Sequence, residues 1–362
     1  MRILAAPPGG LATKADPDLA ASSRRGSTRE AADQTPAAPG RPGRMEFPRA
    51  GSIIAGERKH DMRLMKRKGR IAAVGFAFFT LLLSAAVLQA ATVFNIVLDR
   101  GGVLLSGRLR VCEGDGPFPT VILLHGLPGN ESDVLGLGAA LVKNGINVLT
   151  FNYSGTFESQ GEWSFADTLK DIEAAFYFVN RPDNILRFKI DARRLGLGGY
   201  DYGGGMVLAY AAGRPEVGVV FSIAGTDHGE FLREYARNPE MRKIVDETYA
   251  AMAAPAGPVR FAEGAVPREW ADIGPAALDP NLDFLRIAPA LAGKDILLVC
   301  AWDDETNKVE RNALPLYRAL KERKAKSASI AAFQDDHAFR KSRAGLARAV
   351  GDWLKSVFFP TV

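Results

Sequence analysis

This 362-residue sequence predicts an α/β fold with a mostly parallel central sheet and helices on both faces. Three observations carry that reading. From residue 119 onward, continuous apolar runs alternate with helix-period stretches. Glycine-rich turns follow several of those runs. The apolar share, 47% of the chain, is enough for one large core.

The elements follow in order. Residues 93–98 and 103–111 read as a hairpin around Asp99-Arg-Gly-Gly102. Strands are expected at 120–124, 146–152, 194–199, 219–224, 295–301 and 328–333. Helices are expected at 133–144, 165–180, 202–212, 309–323 and 342–357. One long interval, 226–289, breaks the rhythm. It carries helix-like stretches at 231–236 and 241–253 and then a proline-rich segment, so it reads as a helical cap inserted between two core strands. The α/β body is expected to span 92–362.

The first ninety residues have a different character. Residues 1–61 are rich in Ala, Pro, Gly, Ser and Arg without a sustained apolar period and read as disorder, or as an extension ahead of a true start at Met62 or Met65. A basic run, Met62-Arg-Leu-Met-Lys-Arg-Lys-Gly-Arg70, is followed by an uncharged stretch over 71–88 with small residues at its exit. Residues 62–91 therefore read as a secretory signal or as a membrane anchor. Both readings place the body outside the cytoplasm, periplasmic or secreted, with membrane attachment through 71–88 in the second.

Charge and cysteine content exclude several classes. Residues 1–70 hold 15 Lys and Arg against 7 Asp and Glu, whereas the rest holds 31 against 34. The body is slightly acidic and offers nothing to nucleic acid. Cys112 and Cys300 sit in apolar runs and read as small buried hydrophobes, not as metal ligands. No cofactor motif is expected, because the glycine run at 203–205 lacks an acidic ribose partner.

In an open parallel sheet, ligands bind where strands end, and three strand exits carry unusual residues. The first is His125-Gly-Leu-Pro-Gly-Asn130, where the glycines, Gly126 among them, free backbone N–H groups to face an anion. The second is Gly199-Tyr-Asp-Tyr-Gly-Gly-Gly205, which has the form of the G-x-S-x-G nucleophile elbow with Asp201 in the serine position and Gly199 and Gly203 flanking. The alternative is an Asp N-cap beside a glycine-rich turn. The third is a pair of late exits, Trp302-Asp-Asp-Glu305 and Asp335-Asp-His337, in the chain order nucleophile, acid, base.

These motifs resemble those of the α/β-hydrolase superfamily. Residues 119–357 resemble its bacterial peptidase-like group, of the prolyl-oligopeptidase and acylaminoacyl-peptidase type. The resemblance rests on Leu124-His-Gly-Leu-Pro-Gly-Asn130, Phe151-Asn-Tyr-Ser-Gly155, Gly161-Glu-Trp-Ser-Phe165 and Asp336-His337. It implies Asp201 at the nucleophile position, His337 as base, Asp304 (with Asp303 next) as the orienting acid, and the backbone N–H groups of Leu127 and Tyr202 as oxyanion donors.

A carboxylate is already a nucleophile at neutral pH. His125-Gly-Leu-Pro128 also resembles the HGxP motif of the epoxide hydrolases of this fold, which use an Asp nucleophile on sp³ carbon. Those enzymes usually carry Trp where this chain has Tyr202, and they use cap tyrosines, for which Tyr235 and Tyr249 are the candidates here.

The sequence thus leaves three readings. One is an exported hydrolase acting on a small organic ester, amide, epoxide or similar molecule. Another is a non-catalytic descendant that binds a ligand or protein. The third is a membrane-anchored scaffold.

Overall fold

The computed structural model describes residues 91–268 and 279–360. The expected disorder of 1–61 and the signal or anchor at 62–91 lie outside these residues, save for Ala91. Among the described residues no helix is long and apolar enough to cross a membrane.

Eight strands form one sheet. They are β1 Thr92–Arg100, β2 Val103–Val111, β3 Phe118–Leu124, β4 Asn147–Phe151, β5 Ile190–Tyr200, β6 Val219–Ile223, β7 Asp295–Ala301 and β8 Ser327–Phe333. Their spatial order is β1-β2-β4-β3-β5-β6-β7-β8. The β1–β2 hairpin pairs antiparallel, and β2 pairs antiparallel with β4. Every pairing from β4 to β8 is parallel. This is the α/β-hydrolase fold.

Alternation along the central strands sends side chains to two cores. Ile122, Leu124, Leu197, Val220, Ile296 and Leu298 share one cluster, and Val121, Leu123, Phe221, Ile223, Leu297 and Val299 share the other. The helices are α1 Leu137–Val142, α2 Phe165–Asn180, α3 Pro182–Arg187, α4 Tyr202–Ala212, α5 His228–Arg237, α6 Pro239–Ala253, α7 Phe284–Leu291, α8 Ala313–Glu322 and α9 Arg343–Phe358. The first core packs under α2, α4, α7 and α8, and the second under α1 and α9. Helix α4 is buried from Tyr202 to Ala211, as an apolar helix without a polar face requires. Ser164 starts α2 by accepting the N–H of Asp167, an N-cap of the usual kind.

The structure revises some expected elements. Helix α1 begins at Leu137 rather than 133 because Leu135 and Gly136 have positive φ, and Asp133 takes the N–H groups of Val134 and Gly138. Helix α8 begins at Ala313 rather than 309, after Asn312 departs from helical geometry. Two helices were not foreseen. Helix α3 is six residues long with no buried side chain to create a period. Helix α7 contains Pro289, which reads as a breaker, yet Asp283 caps its start by accepting from Leu285 and Arg286.

Within 226–289, α5 and α6 stand over the carboxyl ends of the strands, whereas α7 packs on α4 and α8 as part of the body. The expected proline-rich part of that interval overlaps 269–278, outside the described residues. Isolated bridges from Thr156 to Val259 and from Trp163 to Phe261 pin the chain after α6 to the loops after β4.

Gly198 in β5 faces the ring of Phe221, and a Cβ there would lie 2.0 Å from the ring. Overpacking of this kind costs about 1–3 kcal/mol. Gly198→Ala is therefore expected to lower the thermal midpoint by several degrees, read by circular dichroism.

Candidate active site

Strand register assembles the site. Leu124 pairs with Gly199, Tyr200 with Ile223, and Ala301 with Phe333. Three neighbouring strand ends thus deliver the 125–130 loop, Asp201 and the Thr226 turn to one place, and the next two bring Asp304 beside His337.

Asp201 occupies a sharp turn with φ 54° and ψ −122°. For a residue with a Cβ this backbone costs about 1–3 kcal/mol and persists only where the surroundings over-determine it. Its N–H donates to Ile223 O at 2.9 Å, and its carbonyl accepts from Gly205 and Thr226, each at 3.1 Å. Close helix packing completes the restraint, since a Cβ on Gly203 would lie 2.5 Å from the carbonyl of His125. The Asp201 side chain caps no backbone N–H of α4. The geometry is that of an elbow, not of an N-cap, and the helix N-terminus favours the negative charge.

The carboxylate of Asp201 has four neighbours. Oδ2 accepts the N–H of Leu127 at 3.3 Å, and Oδ1 accepts from Asn307 Nδ2 at 3.0 Å and Thr226 Oγ1 at 3.3 Å. His337 Nε2 stands 3.6 Å from Oδ1. The other imidazole nitrogen, Nδ1, lies 2.8 Å from Asp304 Oδ2. Asp304 is buried, and its Oδ1 takes the backbone N–H groups of Thr306 and Asn307 at 2.9 and 2.7 Å, which leaves Oδ2 for the histidine. Burial works against a charged imidazole at His337, but the hydrogen bond to Asp304 and the charge of Asp201 outweigh it and raise the pKa above 6.5.

The other sequence candidates fall into place around this set. Of the two acid candidates, the structure brings Asp304 to the histidine and not Asp303. The Asp303 carboxylate is exposed and accepts both of its bonds from Gln334. His125 is a buried support. Its carbonyl accepts from Tyr153 Oη at 2.6 Å and from the Gly203 N–H at 3.2 Å, and burial lowers its imidazole to about 4, so the ring is neutral. Gly126 lies against Asp201, where a Cβ would meet Oδ2 at 2.7 Å. Gly199 lies against Gly203 across the elbow. Tyr202 begins α4, and its hydroxyl donates to Thr168 at 2.8 Å. Tyr153 and Trp163, from the two other motifs, are fully buried and pack edge-on or tilted against the ring of Tyr202. Cys112 and Cys300 are buried and unbonded to each other.

Asp201 opens into a cavity of about 680 Å³ whose wall includes Leu127, Phe165, Phe231, Met241 and Tyr249. Helices α5 and α6 supply its roof. Arg311 of the body pairs with Glu234 of α5 at 2.6 Å across the mouth. Of the two cap tyrosines, Tyr249 lines this cavity, whereas Tyr235 is turned to Asp246 of α6 with a 2.6 Å hydrogen bond. Burial, and then the charge of Asp201, push the phenol of Tyr249 up, so it stays protonated. Thr226 and Asn307 were not anticipated. Neither lies in a motif, and only the tertiary arrangement brings them to Asp201. Among the described residues no cluster of side chains could hold a metal ion.

Residues 119–255 match the family described as alpha/beta hydrolase fold. Over 145 residues the chain is 31% identical to an uncharacterized 31.7 kDa protein of the traX-finO intergenic region of Escherichia coli, covering 40% of this chain and 50% of that protein. Over 111 residues it is 29% identical to cutinase 1 of Thermobifida cellulosilytica, covering 31% of this chain and 41% of the cutinase. The chain spans half or less of the length of these curated relatives.

Among solved structures it is similar to Est1E of Butyrivibrio proteoclasticus with ferulic acid bound, at TM-score 0.53 and 17% identity, covering 72% of this chain and 97% of that one. It is also similar to 2,6-dihydroxy-pseudo-oxynicotine hydrolase, at TM-score 0.54 and 18% identity, covering 75% and 69%. An esterase of Pyrococcus furiosus aligns at TM-score 0.52 and 18% identity, covering 74% and 91%. At these identities the likeness is one of fold.

Asp304→Asn is expected to lower turnover by at least about a hundredfold, because the amide no longer holds the charged imidazole. Asp303→Asn is expected to stay within about twofold of the parent rate. Initial rates of the two variants, measured side by side, check the assignment.

Proposed function

From the α/β-hydrolase fold of this chain, we propose that it is a hydrolase whose nucleophile is the carboxylate of Asp201, with His337 as base and Asp304 as the acid that orients it. The observation that carries the reading is the Asp201 carboxylate on a strained elbow, with one oxygen bonded to the Leu127 N–H and the other facing His337.

The chemistry of the nucleophile selects the substrate. Attack by a carboxylate on an ester or amide carbonyl gives a mixed anhydride, a poor intermediate. The peptidase-like motifs therefore support the scaffold more than the reaction. Attack on an sp³ carbon gives a stable alkyl ester, with halide released or, from an epoxide, an alkoxide left on the neighbouring carbon. Tyr249 can protonate that alkoxide from the cavity wall. His337 Nε2 then takes a proton from water as the water attacks Cγ of Asp201. The Leu127 N–H, aided by that of Tyr202, holds the oxyanion. Collapse expels the alcohol oxygen, which takes the proton from the His337 imidazolium, and the acid proton left on Asp201 passes to the Tyr249 phenolate or, after a halide, to solvent, which restores the carboxylate. Asp304 stabilises the imidazolium formed in that step. The cavity, walled by apolar side chains together with Glu230, Glu234, Lys308 and Arg311, suits a modest organic molecule.

A second reading, a ligand-binding descendant without turnover, draws on one observation. Three donors hold Asp201 at rest, and His337 Nε2 is 3.6 Å away, beyond hydrogen-bond distance. Export is part of the proposal on the strength of the basic run before the uncharged stretch at 71–88. An N-terminal sequence of the native protein starting near Ala91 supports cleavage, and an intact residue 62–88 segment in membranes supports anchoring.

Rates on a nitrophenyl ester, an aminoacyl amide, an epoxide and a haloalkane test the function. Turnover on the last two that vanishes in Asp201→Ala is the expected outcome, and silence on the whole panel favours the binding reading. The pH dependence has a definite sign. Only neutral His337 can take a proton, so kcat is expected to rise with pH through the apparent pKa of His337 in the alkyl-enzyme, and His337→Gln should lose this limb with the activity. The raised pKa in the free protein means that protonated His337 stabilises the fold below about pH 6.5. That contribution fades as pH rises through the folded-state value.

A further inference from the structure

Asn307 is the residue that joins the two halves of the site. Its side-chain nitrogen lies 3.0 Å from Asp201 Oδ1, 2.8 Å from the Ala224 carbonyl and 2.9 Å from Thr226 Oγ1. Carboxylate and carbonyl oxygens can only accept, so they fix which way the amide faces. Its backbone N–H meanwhile donates to Asp304 Oδ1 at 2.7 Å. Asn307 is buried, so these bonds form away from competing water. Thr226 completes the arrangement by accepting from Asn307 and donating to Asp201.

The consequence follows from where the charge of Asp201 can go. Its Oδ1 has three polar neighbours, Asn307, Thr226 and His337, and only the first two are within hydrogen-bond reach. We propose that Asn307 is a positioning residue, which holds the Asp201 carboxylate toward the Leu127 N–H and keeps it from closing onto His337 as an ion pair. The proposal rests on the reading of Asp201 as nucleophile. An Asp201 carboxylate locked to an imidazolium would be quenched as a nucleophile for the alkylation step. Holding Asp201 by neutral donors avoids that. Because the backbone N–H of residue 307 survives any side-chain change, a substitution there perturbs Asp201 while leaving the bond to Asp304 in place.

The test is an NMR titration of the His337 imidazole in the full chain, assigned by comparison with His337→Gln, for the parent protein, Asn307→Ala and Thr226→Val. The charged groups facing His337 are Asp304, Asp201 and Asp336, with the ring of Tyr200 at 5.1 Å, and only Asp201 changes its restraints in these variants. His337 is expected to titrate at higher pH in both variants, most in Asn307→Ala. Alkylation should slow with it, with kcat/KM about ten- to a hundredfold lower and its rising limb moved the same way.

If Asn307→Ala does not fold, Asn307→Leu, which keeps much of the volume, removes the donor and adds no charge, takes its place. A His337 titration at the parent value in the variants overturns the proposal, whatever happens to kcat. Absence of turnover in the parent removes the nucleophile reading instead, and the titration still decides the orientation of Asp201.

Discussion

The turn at Asp201 is the constraint on which the site depends. A residue with φ 54° and ψ −122° needs its backbone groups held on both sides, and here β6, the Thr226 turn and the first turn of α4 each take one bond. The glycines around it answer the same need. The helix can start against the 125–126 loop only if no Cβ stands at 203, and the loop can pass the carboxylate only if none stands at 126. The strain stays local because α4 is buried along its length and cannot move to relieve it.

Once the turn is set, sheet register does the rest. Parallel pairing of β3, β5, β6, β7 and β8 puts five strand exits on one edge, so residues from 127 to 312 line one cavity and His337 stands beside Asp201. The layers beneath contribute by what they forbid. Tyr153 and Trp163 fill the space behind the elbow, and His125 is held neutral and bonded through its backbone. The result is an anionic group at the floor of a cavity walled by apolar and charged side chains, with a histidine between two carboxylates beside it. The proposal of an ester made and then cleaved at Asp201 rests on that arrangement.

The strands were legible because continuous apolar runs have few other uses in a chain with helices between them, α2 was legible from its helical period, and α4 from the glycine-rich turn before it. The elbow and the late acid and histidine loops were legible as chain order. What escaped the sequence has physical causes. Leu135 and Gly136, both with positive φ, shorten α1, and a glycine inside an apolar helical period did not by itself mark the boundary. Pro289 inside α7 hides a helix that Asp283 caps. Adjacent carboxylates at 303 and 304 cannot be told apart by composition, and only the backbone donors of Thr306 and Asn307 decide which one turns inward. Asn307 and Thr226 gain their meaning from contacts 106 and 25 residues away in the chain, which no local pattern encodes.

The central claim is that Asp201 forms a covalent ester that His337 resolves. The most direct measurement is intact and peptide mass spectrometry of the His337→Gln chain after exposure to an epoxide or a haloalkane of a size that fits the 680 Å³ cavity. The account predicts a stable mass gain, of the whole epoxide or of the haloalkane less hydrogen halide, mapped to Asp201 and missing in the Asp201→Ala, His337→Gln double variant. An unmodified Asp201 under conditions in which the ligand demonstrably occupies the cavity, or an adduct on another residue, would contradict it.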